Sequence, residues 1–232
     1  MPKLPRNSLM LAKPAIDVGL FTQQRDAMLA FWQGPAGLPF SELLPLGGGL
    51  RQHRHAIGAS VLKLNDCRAP LPTAAPAGLR QLWIARPGLA APIQLQDPDG
   101  NAVTLVPEGT DGISQLRVDL VVNDLAAHQH FYGNVLGLPA IDAVTFACGI
   151  SQVRLQAGAA TVDPVQQAAG YRYLTVQVFD VVATHASIIS RGGREGRAPV
   201  RLGDVAYISF VRDPDGNWIE ISQRKSLTGS LD

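Results

Sequence analysis

The chain carries one pattern twice. "IDVGLFTQQRDAMLAFWQGPAGLP" from Ile16 aligns with "LRVDLVVNDLAAHQHFYGNVLGLP" from Leu116 at an offset of 100, so that Phe31, Gly37, Leu38 and Pro39 recur as Phe131, Gly137, Leu138 and Pro139. The turn sequence "DPDGN" then occurs at Asp97 and again at Asp213. A repeat on this scale restricts the fold more than any single element, because both copies must obey the same local rules. The 232 residues suit two domains of about 110 residues each. The polar, turn-rich "PEGTDG" from Pro107 to Gly112 is the natural boundary. This divides the chain into an arm (1–11), a first domain (12–108), a second domain (113–225) and a short tail (226–232).

Each copy opens with an alternating strand. In the second, Arg117, Asp119 and Val121 face one way and Leu116, Val118 and Leu120 the other. A helix follows, capped by Asn123 or Asp124, with Leu125, Phe131 and Val135 as its buried stripe and Gly137 past its end. In the first copy, short strands are expected around "ELLPL", "RQHRHAI" and "SVLKLN". In the second, a strand "YRYLTVQV" and a helix from about Asp180 to Arg191 precede strands on both sides of "DPDGN". The unit is βαβββ, used twice per domain, and the fold class is α+β. Only 19 positions separate Gly78 from Asp97, against 43 between Gly170 and Asp213, so the first domain is expected to lack its second helix. Both copies keep a "DPDG" hairpin turn, with Pro setting φ and Gly allowing φ above zero.

Composition excludes several classes. With 46% hydrophobic residues, 17% charged residues and a net charge of +1, the chain has no excess charge with which to attract nucleic acid or anionic lipid. Lys13 and Pro14 interrupt the apolar run near the N-terminus, so neither a signal peptide nor a membrane span is expected there, and the location is read as cytoplasmic. Cys67 and Cys148 have no metal or redox spacing and are read as free thiols, with Cys148 in the core. There is no GxGxxG opening a helix, no P-loop, no nucleophile elbow and no HExxH.

The motifs "VNDLAAHQHFYGNVLGLP" and "VRDPDGNWIEI", echoed by "FWQGPAGLP" and "DPDGN", resemble the vicinal oxygen chelate superfamily. It includes glyoxalase I, bleomycin-resistance proteins, fosfomycin-resistance enzymes, methylmalonyl-CoA epimerase and extradiol dioxygenases. The resemblance covers most of residues 12–225. It implies sheets that curl around a cavity, where a divalent metal is held by residues of the first and fifth strands and a Glu of the eighth, usually His, His and Glu. At those positions the second domain offers Arg117, Tyr173 and Glu220, and the first offers Asp17, Gln81 and Thr104.

Guanidinium has no lone pair to give a metal. The departure from that ligand set at Arg117 and Tyr173 therefore leads to the expectation of no metal and no cofactor, with Arg117 in the place of the cation, paired with Glu220 and completed by the Tyr173 phenol. An alternative pairs Arg117 with Asp119 on the same strand face, and another makes Arg117–Glu220 an inert ion pair. Glu220 and Tyr173 are the expected catalytic groups. Arg117, Asp119, Trp218, Asp17, Gln81 and His55 are the expected substrate contacts. His53 and His55 share a strand face at a spacing that can bind metal, but with no third ligand they read as a polar face at a sheet edge or cavity mouth. His128, His130 and His185 read as helix-surface or helix-packing residues. Lys63 and Asn65 can line the first-domain cavity, where a Lys favours an anion, although an exposed Lys is the default.

The function expected is a metal-free small-molecule binder whose second-domain cavity sequesters its ligand or transforms it by acid–base chemistry. The alternatives are a metal-dependent lyase, epimerase or extradiol dioxygenase, or a scaffold without a ligand. A homodimer is the oligomer the resemblance allows.

Overall fold

A computed structural model describes residues 8–231; residues 1–7 of the expected arm, and Asp232, lie outside the described residues. The first repeat forms β1 (Leu11–Thr22), α1 (Arg25–Gln33), β2 (Phe40–Gly47), β3 (Leu50–Ile57) and β4 (Ser60–Cys67), followed by β5 (Leu79–Arg86), β6 (Ile93–Gln96) and β7 (Ala102–Pro107). The second forms β8 (Leu116–Val122), α2 (Leu125–His130), β9 (Thr145–Cys148) and β10 (Ser151–Ala157). It continues with β11 (Gly170–Val178), α3 (Val181–Ser190), β12 (Arg194–Leu202), β13 (Ala206–Arg212) and β14 (Trp218–Arg224). No helix separates β5 from β6, as the short Gly78–Asp97 spacing predicts. The expected tail instead begins with a helical turn, α4 (Lys225–Thr228), and Leu231 is buried.

Local chemistry accounts for the helix ends. Asp124 and Asp180 cap α2 and α3 by accepting from the backbone N–H of Ala127 and Ala183, at 3.0 and 2.8 Å. At the other end the repeat is reproduced bond for bond. Leu38 donates to the Trp32 carbonyl at 2.7 Å, and Leu138 donates to the Tyr132 carbonyl at 2.9 Å. In the second copy α2 runs on into a π-helical turn over 131–135, which brings Phe131, Tyr132 and Val135 together into the core.

The strands assemble into two sheets. One has eight strands in the order β12-β13-β14-β11-β1-β4-β3-β2, and the other has six in the order β6-β7-β5-β8-β10-β9. Neither sheet belongs to one repeat. The first half of the first repeat joins the second half of the second, through an antiparallel β1–β11 pair in which Asp17 lies opposite Thr175 and Gly19 opposite Tyr173. Strand β5 likewise pairs with β8, placing Trp83 opposite Arg117. Val18, Leu20, Leu174 and Ile221 from the eight-stranded sheet share one hydrophobic core with Leu82, Ile84, Val118 and Leu120 from the six-stranded sheet. This core holds the exchanged halves together.

The "DPDGN" turns clip this exchange in place. Within each, the first Asp accepts the Gly and Asn ends of its own turn: Asp97 holds the Asn101 backbone N–H at 2.8 Å, and Asp213 holds that of Asn217 at 2.8 Å. Gly100 and Gly216 take φ of 85° and 86°, the left-handed conformation that the turn requires. Each Asn then turns its side-chain carbonyl toward the other repeat. Asn217 accepts from the Gly78 N–H at 2.7 Å, just before β5, and Asn101 accepts from the Tyr171 N–H at 3.2 Å, in β11. A Cβ at Gly78 or Gly170 would run into these Asn side chains.

Candidate active site

The eight-stranded sheet is strongly curved. Five strand-to-strand steps separate β14 from β2, which in a flat sheet would place them about 24 Å apart. Yet Glu42 of β2 lies 3.7 Å from the Arg224 guanidinium at the end of β14. The concave face therefore closes around a cavity of about 530 Å³, lined by strands of both repeats and not, as expected, by the second domain alone, because β1 pairs with β11. Phe21, Leu50, Ile208 and Phe210 give it apolar walls, and Gln52, Arg54, Lys63, Asn65, Tyr173 and Glu220 give it a polar floor. Strand alternation selects these residues, since β3 turns Gln52 and Arg54 inward and β4 turns Lys63 and Asn65 inward.

Lys63 is the central group. Its ammonium donates to Glu220 Oε2 at 3.0 Å and to Thr175 Oγ1 at 2.8 Å, and Thr175 donates to the same carboxylate oxygen at 3.1 Å. Lys63 is 3% exposed and Glu220 8%. Burial pulls the Lys63 ammonium below its ordinary pKa, while Glu220 and then Asp17 oppose that shift. Among the described residues, Glu220 Oε1 carries no protein hydrogen bond, so this oxygen is available to a ligand.

Beside this group the Tyr173 phenol accepts from Asn65 Nδ2 at 3.1 Å, and Gln52 donates to Asn65 Oδ1 at 3.0 Å. Burial, and then the Glu220 charge, push the Tyr173 hydroxyl far above its ordinary pKa. Tyr173 thus keeps its proton and can donate it as a hydrogen bond. Its ring lies over Gly19 of β1, where any Cβ would overlap it.

The expected Arg117–Glu220 pair is not formed. Arg117 sits on β8, in the other sheet, where it binds Asp119 at 2.9 Å and Asp111 at 3.2 Å and stacks 4.5 Å from the Trp83 ring. Of the two alternatives read from the sequence, pairing with Asp119 is the one formed. The physical reason is the strand exchange, which puts β8 beside β5 and gives Glu220 a lysine from the first repeat. Asp119 also accepts from Trp83 Nε1 at 2.8 Å, and Gln81 donates to Thr104 at 2.7 Å, so both are taken up within the six-stranded sheet.

Three further expected contacts are placed as follows. Asp17 shares the concave face but is buried against Lys13, the Val61 N–H at 2.8 Å and Gln177 at 3.3 Å, outside the cavity lining. Trp218 packs behind Phe210, its indole N–H bound to the Pro164 carbonyl at 2.9 Å, and so supports the wall without forming it. His55 points to the opposite face of β3, 3.2 Å from Gln33 Nε2. Of the two placements read for His128, helix packing is the one formed: it is fully buried, with Nδ1 at 2.7 Å from the Asp124 carbonyl and Nε2 at 3.5 Å from both Asp213 and Asp215.

The sequence reading passed over Thr175, Gln52, Arg54 and Arg224. The signal was present for three of them: Thr175 is two positions from Tyr173, and Gln52 and Arg54 alternate with the histidines of "HRH". Arg224 carried none, because only sheet curvature brings it to the cavity.

These donors do not fit a divalent cation. The floor offers one carboxylate, a hydroxyl, a phenol and amides around an ammonium that has no lone pair, and no group of three or more His, Cys, Asp or Glu side chains is close enough to hold a metal among the described residues. No helix among the described residues is long and apolar enough to cross a membrane.

Comparison with known proteins agrees with the fold. Residues 114–221 match the family model of the Glyoxalase/Bleomycin resistance protein/Dioxygenase superfamily. A probable lactoylglutathione lyase of Vibrio cholerae serotype O1 is 36% identical over 63 residues, 27% of this chain and 46% of that protein. The chain thus spans about half the length of this curated relative, and the same share of a second from Vibrio parahaemolyticus. Glyoxalase I from Zea mays superimposes with a TM-score of 0.73 at 17% identity, covering 96% of each chain. A putative dioxygenase from Bacillus subtilis does so with a TM-score of 0.68 at 10% identity, covering 98% of this chain and 92% of its own.

Proposed function

We propose, from the match of residues 114–221 to the Glyoxalase/Bleomycin resistance protein/Dioxygenase superfamily, that the chain is a member whose curved sheet binds a small organic molecule and transforms it by metal-free acid–base chemistry. The observation that carries this reading is the Lys63–Glu220–Thr175 triangle on the floor of a 530 Å³ cavity. The ammonium at the centre of this floor has no electron pair to give a metal.

The chemistry follows from the free atoms. Glu220 Oε1 faces the ligand as a proton acceptor. Lys63 and Tyr173 supply hydrogen-bond donors to an oxygen on which negative charge develops, for instance a carbonyl oxygen as a neighbouring C–H proton is removed. Apolar walls exclude water and strengthen these interactions. Proton removal next to a carbonyl is a step shared by isomerases and lyases, and the lyase names of the Vibrio relatives favour the second of these.

Elemental analysis of protein purified without chelator, together with native mass spectrometry against a metabolite panel, tests the reading. The expected result is no stoichiometric metal and a retained ligand that Glu220→Gln releases. A stoichiometric zinc, nickel, iron or manganese ion that is lost in Glu220→Gln would replace it with a metal-dependent lyase.

A further inference from the structure

Cations outnumber anions around the cavity. Arg54, Lys63, Arg197 and Arg224 line it, whereas Glu220 is the only carboxylate among the lining residues. Lys63 already consumes the Glu220 charge. The remaining imbalance is concentrated at the mouth, where Arg54 of β3 and Arg224 of β14 approach each other from opposite ends of the sheet. One carboxylate oxygen serves both: Glu42 Oε1 lies 2.9 Å from Arg54 Nε and 3.7 Å from Arg224 Nη1.

Glu42 is an unequal partner for them. Its side chain is 43% exposed, whereas that of Arg54 is 9% exposed and that of Arg224 14%. Glu42 also stands on β2, the edge strand of the sheet. Burial, and after it the Arg224 charge, hold the Arg54 guanidinium below its ordinary pKa, against the opposing charges of Asp17, Glu42 and Glu220. Two desolvated guanidinium groups converging on one point, over an apolar chamber, form a binding arrangement for an oxyanion.

The geometry points to Glu42 as a displaceable internal occupant of an anion site. The ligand is a small organic anion whose carboxylate or phosphate seats between Arg54 and Arg224 in place of the Glu42 carboxylate. Its apolar body lies against Phe21, Leu50 and Phe210, directed toward Lys63 and Glu220. This rests on the reading of the cavity as a small-molecule site and names the class of molecule it takes.

Isothermal titration with 4-phenylbutyrate, phenyl phosphate and the neutral 4-phenylbutyramide tests it, with carboxylate and phosphate as separate arms. The expected result is binding of at least one anion and not of the amide. Arg224→Gln should weaken that binding by about tenfold or more, the loss expected for a charge-assisted pair, while Glu42→Gln should tighten it. Because Arg54→Gln can impair folding, the decision rests on Arg224→Gln and Glu42→Gln, whose melting curves are recorded alongside. Equal binding of the amide, or unchanged anion affinity in Arg224→Gln, overturns the anion site and leaves the small-molecule reading standing. Failure of all three probes to bind overturns the anion site together with that reading.

Discussion

Lys63 and Glu220, 157 residues apart and contributed by different repeats, meet at 3.0 Å in the buried floor of the eight-stranded sheet. Each neutralises a charge that the other could not bury alone, so the pair couples the integrity of the site to that of the strand exchange. Removing one member leaves an uncompensated buried charge.

Lys63→Ala is therefore expected to cost about 3–5 kcal/mol of stability, although it removes few apolar contacts. The double variant Lys63→Met/Glu220→Gln should recover a large part of the loss. Urea denaturation of wild type, Lys63→Met, Glu220→Gln and the double variant measures the coupling; strict additivity of the two single losses would show that the pair is not a unit.

Gly19 has no room for a side chain, because the Tyr173 ring occupies the space. Gly19→Ala should push the ring aside at a cost of about 1–3 kcal/mol and break its 3.1 Å bond to Asn65. The near-ultraviolet circular dichroism of Tyr173, assigned with Tyr173→Phe, should change together with ligand affinity. A variant with native stability and an unchanged tyrosine signal would refute the packing argument.

The two Asn clips should be unequal in effect. Asn217 is buried and binds Gly78 at 2.7 Å, whereas Asn101 is partly exposed and binds Tyr171 at 3.2 Å. Loss of the first should cost about 1–3 kcal/mol, as expected when a buried donor is left unpaired, and loss of the second less. Hydrogen exchange at the N–H groups of Gly78 and Tyr171 in Asn217→Ala and Asn101→Ala reports the two openings separately.

Two histidines should drive stability in opposite directions with pH. Burial, and then the charge of His53, hold His55 down to about 4. The unfolded chain takes up a proton near pH 6.5 that the folded chain refuses until about pH 4. Stability present above pH 6.5 is thus lost across that window, by something on the order of 3 kcal/mol, and His55→Gln should flatten the profile there. Burial opposes protonation of His128, but the hydrogen bond and charge of Asp213 outweigh it and raise its pKa. The stability it supplies is full below pH 6.5 and is lost as pH rises through the raised value, so His128→Gln should cost more at pH 6 than at pH 8. Melting curves of the two variants between pH 4 and 8 check both signs.

The strand faces, the missing helix of the first repeat, the Asp124 and Asp180 caps and both "DPDG" turns were legible in the sequence because each depends on contacts within a few residues. A period of two places Lys63 with Asn65 and Tyr173 with Thr175 whatever the strand's neighbours are. Pairing is a different kind of information. Nothing local distinguishes β11 paired only within its own repeat from β11 paired with β1 of the first. That choice belonged to the tertiary structure, through the shared core and the Asn101 and Asn217 clips. It is the reason Glu220 received Lys63 from the first repeat, while Arg117, the partner expected for Glu220, was carried into the other sheet.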